Sequence, residues 1–452
     1  MMPLCFSPCL LRSFRSAWFT LALAVAHAAE TPSLAERVHR LESLVEALRE
    51  ENAALRREGG PARAPVVASE KTPAPSVRLT GDLRTRLSSG MYAAREAVAR
   101  DQLLFQFHFG VVSAVSETIE AGFRFSAGDL NTGFGGTPLS AQFSAADNGS
   151  RKYAFIDRAF MAWKPVLGPE AKMAVTLGKA ENLFFTSSRI LFDTDYMPEG
   201  LTEEFSFQLT KRDRLWIAGG QYMLDDITSS ARDPWMFAGR MRWDAQWDAA
   251  WSTSVGVGLL SITRGAQLTA ANVANTNRGN TRTATGVLVH AYRPFYAEAA
   301  ITRLLGRVPG YTGKFPVTLQ ADLLHNPGAP AQNDAWTAGF TLGKASKAGQ
   351  WEVGYRFLHI EADAWYEEML DAEYGAYYRA VPPGWNNDPA SLAGGPGGGT
   401  NIRSHSIRTG YSPKDYLLLS ANLFINDFVR KIPANAADTA ARRFQFEALL
   451  RF

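Results

Sequence analysis

Five charged residues between positions 179 and 199 are candidates for an electrostatic function. They carry both signs within one short stretch: Lys179, Arg189, Asp193, Asp195 and Glu199. Fixed charges that line a water-filled passage select ions by sign. An EF-hand calcium loop is disfavoured, because Met197 stands where an oxygen ligand is required. The alternative is that these carboxylates only pair with arginines of the same loop or with a loosely held cation.

A second candidate set consists of arginines in segments that alternate between apolar and polar residues. They fall on the polar phase: Arg84, Arg86, Arg124, Arg240, Arg242, Arg356 and Arg408. Guanidinium groups along a channel wall create a positive potential that concentrates anions. The carboxylates on that phase are fewer (Asp82, Glu204 and Asp322), which favours a mild anion preference that the acidic stretch could reverse. The alternative is that the arginines only hydrogen-bond to cross-strand neighbours.

Other kinds of chemistry find little support in the sequence. The histidines lack metal-ligand spacing, and no Gly-x-Ser-x-Gly nucleophile motif occurs. The net charge of +3 gives no nucleic-acid footprint, and the only cysteines, Cys5 and Cys9, lie near the N-terminus. We therefore expect no catalytic residue, no metal, no cofactor and no nucleic-acid partner.

The first 28 residues have the features of a secretory signal peptide. Arg12 and Arg15 form a basic region, and residues 17–26 form an apolar run of about ten residues. Small residues around Ala28 predict cleavage after that position. The exported chain would then contain no cysteine.

Residues 33–58 are predicted to form a short α-helical coiled coil in the periplasm. Leucines recur every seven residues, with valine or asparagine at the partner positions: Leu34, Leu41, Leu48 and Leu55, and Val38, Val45 and Asn52. Valine at a with leucine at d favours two strands in peptides, which disagrees with a three-fold assembly. The alternative is a single amphipathic helix docked on another surface. The Pro- and Ala-rich stretch 59–76 is a linker.

From residue 77 to 452 the sequence alternates with a period of two. Phe105, Phe107 and Phe109 alternate with polar residues such as His108. In a membrane barrel the apolar face contacts lipid and the polar face lines water. We predict an all-β chain forming a transmembrane antiparallel β-barrel, with a soluble β-sandwich as the alternative.

Connection lengths in this region alternate between short and long. Membrane barrels have short periplasmic turns and longer external loops, so the strand number is even. The number is about sixteen if residues 285–304 form one strand interrupted near Pro294, and eighteen if they form a hairpin.

The last strand carries an additional signal. Aromatic and aliphatic residues occupy every second position up to the final residue: Phe444, Phe446, Ala448, Leu450 and Phe452. A terminal, outward-facing aromatic residue resembles the signal read by the outer-membrane assembly machinery. Phe452 is therefore the candidate assembly signal.

Several motifs resemble the bacterial putative porin family, whose members join a short coiled coil to a barrel. The resemblance covers about 77–452. Its motifs are Thr80-Gly81-Asp82-Leu83-Arg84, Val175-Thr176-Leu177-Gly178-Lys179, the loop Asp193-Thr194-Asp195-Tyr196-Met197-Pro198-Glu199-Gly200-Leu201, and Trp351-Glu352-Val353-Gly354-Tyr355-Arg356-Phe357 followed by Glu361-Ala362-Asp363-Ala364.

The resemblance implies passive diffusion of small hydrophilic solutes across the bacterial outer membrane. It implies a homo-oligomer, by analogy a trimer, surrounded by outer-membrane lipid. Residues 179–201 would then be the third external loop, which in general porins folds into the lumen and narrows it. Two alternatives stay open: a structural tether that links the barrel to the cell wall through the coiled coil, and a barrel enzyme.

Overall fold

The computed structural model describes the greater part of the chain after residue 75. The described residues are 43, 46, 76–93, 99–127, 143–144, 154–184, 190–269, 279–371, 373–378, 395–397, 399–431 and 439–452. All described strands lie in the unit Thr72–Phe452. The predicted signal peptide, the linker up to residue 75 and the coiled coil lie outside the described residues, apart from Ser43 and Glu46, which are helical.

Sixteen long antiparallel strands form the barrel wall. They are β1 Val77–Tyr92, β2 Arg100–Ala114, β3 Ile119–Ala127, β4 Ala154–Trp163, β5 Ala171–Lys179, β6 Glu199–Gln208, β7 Asp213–Met223, β8 Trp235–Gln246, β9 Trp251–Thr263, β10 Phe295–Leu305, β11 Phe315–His325, β12 Asp334–Gly343, β13 Gln350–Ile360, β14 Ile402–Lys414, β15 Leu417–Phe428 and β16 Ala441–Arg451. The short strand Phe143–Ser144 adds a pairing to β2, and Ala376–Tyr378 pairs with Gly395–Gly397. The helical turns are Gly265–Gln267 and Glu367–Met369. Within the described residues no helix is both long and apolar enough to cross a membrane.

The sheet closes because β1 pairs with both β2 and β16. At this seam the backbone of Gly81 exchanges two hydrogen bonds of 3.0 Å with Phe452. The Phe452 ring stacks on Phe107 with a centroid distance of 6.2 Å. Closure leaves no sheet edge, which is what a β-structure in lipid requires. The prediction of a barrel with about sixteen strands is confirmed.

Side chains alternate across the wall as the sequence predicted. Outward positions are apolar and exposed, for example Phe107, Leu319 and Phe446, whereas the adjacent inward His108 and Glu447 are buried. Short turns such as 115–118 and 415–416 lie at one end, and long connections such as 180–198, 264–294 and 361–401 lie at the other.

The segment 285–304 does not form one continuous strand. β10 begins at Phe295, directly after Pro294. The carbonyl oxygens of Tyr292 and Pro294 still accept hydrogen bonds of 2.9 Å from Ile262 and Leu260. Residues 285–291 leave the wall. Pro294 has no backbone N–H, so it cannot donate a hydrogen bond to the neighbouring strand, and the regular strand pairing ends there. The segment therefore contributes one barrel strand.

Candidate functional site

The connection 180–198 enters the barrel interior between two glycines. Gly178 and Gly200 face each other on β5 and β6 and have φ values of 115° and 155°. A Cβ at either position would collide with a backbone carbonyl of the neighbouring strand, so these sites require glycine. The loop then contacts the adjacent strands β7 and β8 of the wall: Arg240 Nη1 donates to the Leu183 carbonyl at 3.0 Å, and the Phe184 ring contacts Tyr222. The third loop therefore folds inward.

A second segment, residues 361–371, packs on this loop inside the barrel. Trp365 Nε1 donates to the Leu191 carbonyl at 2.9 Å, and the Asp193 N–H donates to the Met369 carbonyl at 2.6 Å. A hydrophobic core joins the two segments to the wall: Phe184, Ile190, Leu191, Phe192, Tyr196, Ala364, Trp365, Tyr366, Met369 and Leu370, with Tyr222, Met236, Tyr296, Leu324 and Leu358. Each fully buried Leu, Ile, Phe or Met side chain stabilises this packing by about 1.5–3 kcal/mol relative to its exposure to water.

A buried ionic network ties a third segment to this core. The Arg282 guanidinium and the Glu367 carboxylate, both fully buried, form an ion pair of 2.6 Å. Burial opposes the charge on Arg282, but Glu367 outweighs it and raises the pKa of Arg282. Asn280 Nδ2 donates to the Trp365 carbonyl, and Asp363 accepts from Tyr292 and Thr281. We call the described residues 180–184, 190–198, 279–294 and 361–371 the plug.

The plug leaves a cavity of about 650 Å³ against the opposite wall. We call this cavity the eyelet. Its charged lining comes from β1, β13, β14, β16, the turn after β12 and the inward loops: Arg84, Arg86, Lys344, Arg356, Arg408 and Arg451, with Asp193, Asp195, Glu352, Asp371, Glu373 and Glu447. Most of the charges on the wall are therefore cationic, and those of the inward loops are acidic.

Several of these charges compensate each other. Arg86 bonds to Glu373 and to Glu447, each at 2.5 Å, and Arg408 Nε donates to Glu352 at 2.7 Å. Burial would raise the pKa of Glu373, but Arg86, Arg443 and the Gln445 amide hold it below its usual value. Glu373 is therefore ionised at neutral pH.

Two other loop carboxyl groups behave in the opposite way. Asp193 is 2% exposed, and its Oδ2 has no hydrogen-bond partner among the described residues. Burial, together with Asp371 and Asp195, raises the pKa of Asp193 well above its usual value. Burial and the neighbouring Glu373 raise the pKa of Asp371 to about 7. The acidic side of the eyelet therefore carries less negative charge at pH 7 than its composition indicates.

The predicted constriction residues do not all reach the eyelet. Asp193 and Asp195 line it, whereas Arg189 lies outside the described residues. Lys179 and Glu199 oppose each other two residues beyond Leu177 and Leu201 on the outward face, and they form a 2.5 Å ion pair. Neither residue lines the eyelet, and both still belong to the barrel strands.

Three of the predicted arginines point inward but do not line the eyelet. Arg124 pairs with Asp157, and the buried Arg240 pairs with Glu298 beneath the plug. Arg242 pairs with Asp244 at 3.1 Å and lies over the Trp216 ring. These three arginines pair with neighbouring carboxylates, as the alternative interpretation of the sequence proposed. Of the seven arginines named from the sequence, Arg84, Arg86, Arg356 and Arg408 line the eyelet.

Sequence reasoning also missed inward acidic residues. Glu298, Glu352 and Glu447 all bond to arginines. A register shift after Arg124 leaves Asp157 as an extra residue, so both Asp157 and Arg158 reach inward partners. Asp157 and Arg158 are adjacent charged residues in a strand that otherwise alternates between apolar and polar residues. This interruption of the alternation was the sequence signal for the register shift. These carboxylates reduce the excess of inward arginines that the sequence indicated on the strands.

One row of residues has the composition of a hydrolase triad. Asp82, His108 and Ser126 lie directly opposite one another on β1, β2 and β3, and His108 Nδ1 lies 3.0 Å from Asp82 Oδ1. All three residues are described, and no hydrogen bond joins Ser126 to His108. The described residues also contain no group of three or more His, Cys, Asp or Glu side chains placed to hold a metal ion.

Comparisons with known proteins agree with the barrel and its loops. Residues 92–285, somewhat less than half of the chain, match the model of a family described as "Putative porin". No curated protein sequence matches the chain significantly.

Similar solved structures are outer-membrane proteins and porins at low identity. Pseudomonas putida OprB has a TM-score of 0.49 and 10% identity, over 83% of this chain and 94% of that chain. OmpT of Vibrio cholerae, in its trimer form, has a TM-score of 0.42 and 11% identity, over 84% and 100%. A mutant Rh. blastica porin has a TM-score of 0.41 and 8% identity, over 83% and 100%.

The family match includes β2 to β9 and the whole connection 180–198. It therefore covers the strands that receive the third loop and the loop that narrows the interior. Together with the closed barrel of sixteen strands, this match over residues 92–285 supports an outer-membrane porin.

Proposed function

We propose that small hydrophilic solutes diffuse passively through the eyelet and that this passage prefers anions mildly at neutral pH. The observation that carries the proposal is a polar cavity of about 650 Å³ between an arginine-bearing wall and an inward-folded loop. At roughly 30 Å³ per molecule this volume holds about 20 waters. A hydrated passage of this size admits small polar solutes.

The charge balance supports the sign of the preference. Six basic and six acidic side chains line the eyelet, but burial raises the pKa of Asp193 and raises that of Asp371 to about 7, so Asp371 is only partly ionised at pH 7. The remaining positive charge attracts anions in a low-dielectric channel. The preference is mild, because Arg86 and Arg408 are compensated by close carboxylates.

Planar-bilayer recordings of the purified full-length protein test this proposal. We expect discrete conductance steps. In a low-salt KCl gradient at pH 7, the reversal potential should have the sign that indicates higher permeability for chloride than for potassium. Low salt matters because the Debye length is about 10 Å at 0.1 M. Absence of conductance would refute the channel, whereas a reversal potential on the potassium side would refute only the anion preference.

We propose three partners for the assembled porin: outer-membrane lipid, further copies of the chain in a trimer, and the assembly machinery that reads Phe452. The similar structure of OmpT from Vibrio cholerae is a trimer form, which is the analogy for that oligomer. The heptad pattern of residues 33–58 favours association through a periplasmic coiled coil, and a cell-wall tether is the second candidate function for that segment. We propose no catalytic role and no cofactor.

A further inference from the structure

A cluster of cations lies on the outward face at the loop end of β14–β16. In the strand register Arg403 opposes Asp427, and Arg442 opposes Ile425, two residues from Asp427. Arg403 Nη2 and Lys431 Nζ lie 3.1 and 3.6 Å from Asp427 Oδ2. Arg442 forms no ion pair with any described residue. We call Arg403, Asp427, Lys431 and Arg442 the rim cluster, in which three cations share one carboxylate.

Beyond His405 of β14, apolar side chains continue the same outward face toward the middle of the wall. Ile407, Ile425 and Phe444 are 42%, 38% and 45% exposed. In a membrane barrel this band contacts acyl chains, and the ends of the strands lie at the level of the headgroups. The cations therefore stand where a lipid headgroup would lie, above a surface suited to its chains.

Other basic groups on the described rim have a carboxylate of their own. Lys179 pairs with Glu199 at 2.5 Å, and His325 pairs with Asp334 at 2.7 Å. Such pairs leave no charge for an anionic ligand. At the rim cluster two positive charges remain after Asp427 is counted.

We propose that the rim cluster binds the phosphate groups of a phosphorylated lipid in the external leaflet of the outer membrane. Guanidinium groups form bidentate hydrogen bonds with phosphate oxygens, and Lys431 adds a point charge. The acyl chains of the lipid then lie along Ile407, Ile425 and Phe444. Binding at this outward surface does not depend on conduction through the eyelet.

Native mass spectrometry of the full-length porin in a neutral detergent tests the proposal. The probe is diphosphoryl lipid A, compared with the same lipid after enzymatic removal of its phosphates. We expect the wild type to retain the phosphorylated probe at least about tenfold more tightly. The triple variant Arg403→Gln, Lys431→Gln, Arg442→Gln should lose that difference, whereas Lys179→Gln, which removes a paired rim cation, should keep it.

Two further measurements keep the test decisive. Arg442→Gln removes no ion pair among the described residues, so it should fold normally and weaken binding about threefold even if the triple variant misfolds. Inorganic phosphate at millimolar concentration should not displace the lipid, because it cannot use the apolar band. Equal binding of both probes, equal loss in Lys179→Gln, unchanged binding in Arg442→Gln, or displacement by inorganic phosphate would overturn the proposal.

Discussion

At the scale of single residues, the eyelet shows that a carboxyl group cannot be assigned a charge from the sequence alone. Glu373 and Asp371 are two positions apart, yet the pKa of Glu373 is lowered by Arg86 while burial raises that of Asp371 to about 7. Burial of Asp193 at the contact between the loops likewise raises its pKa. The selectivity of this porin should therefore change with pH near neutrality.

The Asp371→Asn variant tests this pH dependence. Below pH 7 Asp371 is protonated, so the eyelet is more positive and the anion preference is stronger; above pH 7 the ionised carboxylate weakens it. We expect reversal potentials of the wild type to shift toward potassium between pH 5 and 9, with a midpoint near the pKa of about 7. The variant should retain the low-pH preference over more of this range.

Asp248→Asn is the matched control for that experiment. Asp248 lies in a short turn outside the membrane-spanning strands, and two backbone hydrogen bonds hold its pKa below the usual value. It remains ionised from pH 5 to 9, so its replacement should leave the midpoint unchanged. A wild-type midpoint that persists in Asp371→Asn would assign the titration to another group.

At the scale of elements, three loop segments form the plug because polar and charged groups of each segment find their buried partners on another. Trp365 bonds to the Leu191 carbonyl, and Arg282 pairs with Glu367. Breaking a buried ion pair by removing one partner costs about 3–5 kcal/mol. The Arg282–Glu367 pair is the fully buried ionic link between the segments 279–294 and 361–371. The stability of the plug should depend on this pair more than on any exposed one.

The Glu367→Gln variant should loosen the plug while leaving the barrel assembled. Gln can keep hydrogen bonds to Arg282 but not the opposite charge, so we expect a loss of about 2–4 kcal/mol in local stability. Hydrogen exchange in 361–371 should accelerate, and single-channel current should become larger and noisier. Glu181→Gln, at a carboxylate with 64% exposure, is the control and should change neither. Unchanged exchange in Glu367→Gln would show that the hydrophobic core alone holds the plug.

The predicted coiled coil is tested in the full-length chain. Deletion of residues 33–58 should reduce the fraction of chemically cross-linked oligomer, because it removes the leucine seam. Asn52→Val should raise that fraction, because it replaces a polar residue in the seam by an apolar one. If neither change alters cross-linking, the segment is a solvated spacer.

At the scale of the whole molecule, the closed barrel assigns every side chain on a strand to lipid or to the lumen. A shift of one residue would exchange the two faces. The neighbouring residues Ile407 and Arg408 of β14 illustrate the assignment: Ile407 faces outward with 42% exposure, and Arg408 lines the eyelet. Without a membrane, water reaches both Ile407 and Arg408. In the outer membrane, lipid covers Ile407, whereas Arg408 stays in contact with the water of the lumen.

Single-cysteine variants at these two positions test the register in intact outer membranes. The exported chain is predicted to contain no other cysteine, since Cys5 and Cys9 precede the cleavage site. A water-soluble maleimide should label Arg408→Cys strongly and Ile407→Cys at least about tenfold less, because lipid covers the outward face. Stronger labelling at position 407 would reverse the assignment of faces.

The sequence by itself determined the barrel and left its strand number at sixteen or eighteen, whereas the inward-folding third loop was implied by the family resemblance. The barrel features are local: a period of two and a terminal outward aromatic at Phe452. A local pattern can be read without knowing which strands become neighbours. The coiled coil at 33–58 belongs to the same kind of inference and stays a prediction.

Only the tertiary structure decided which charges act in the eyelet. Arg86 and Glu447 are 361 positions apart, and Arg240 and Glu298 are 58 apart. Their pairing depends on barrel closure and strand register, which no short window of sequence contains. Burial of Asp193 and Asp371 likewise requires two loops from different parts of the chain to meet, and this contact sets the charge that a passing solute encounters.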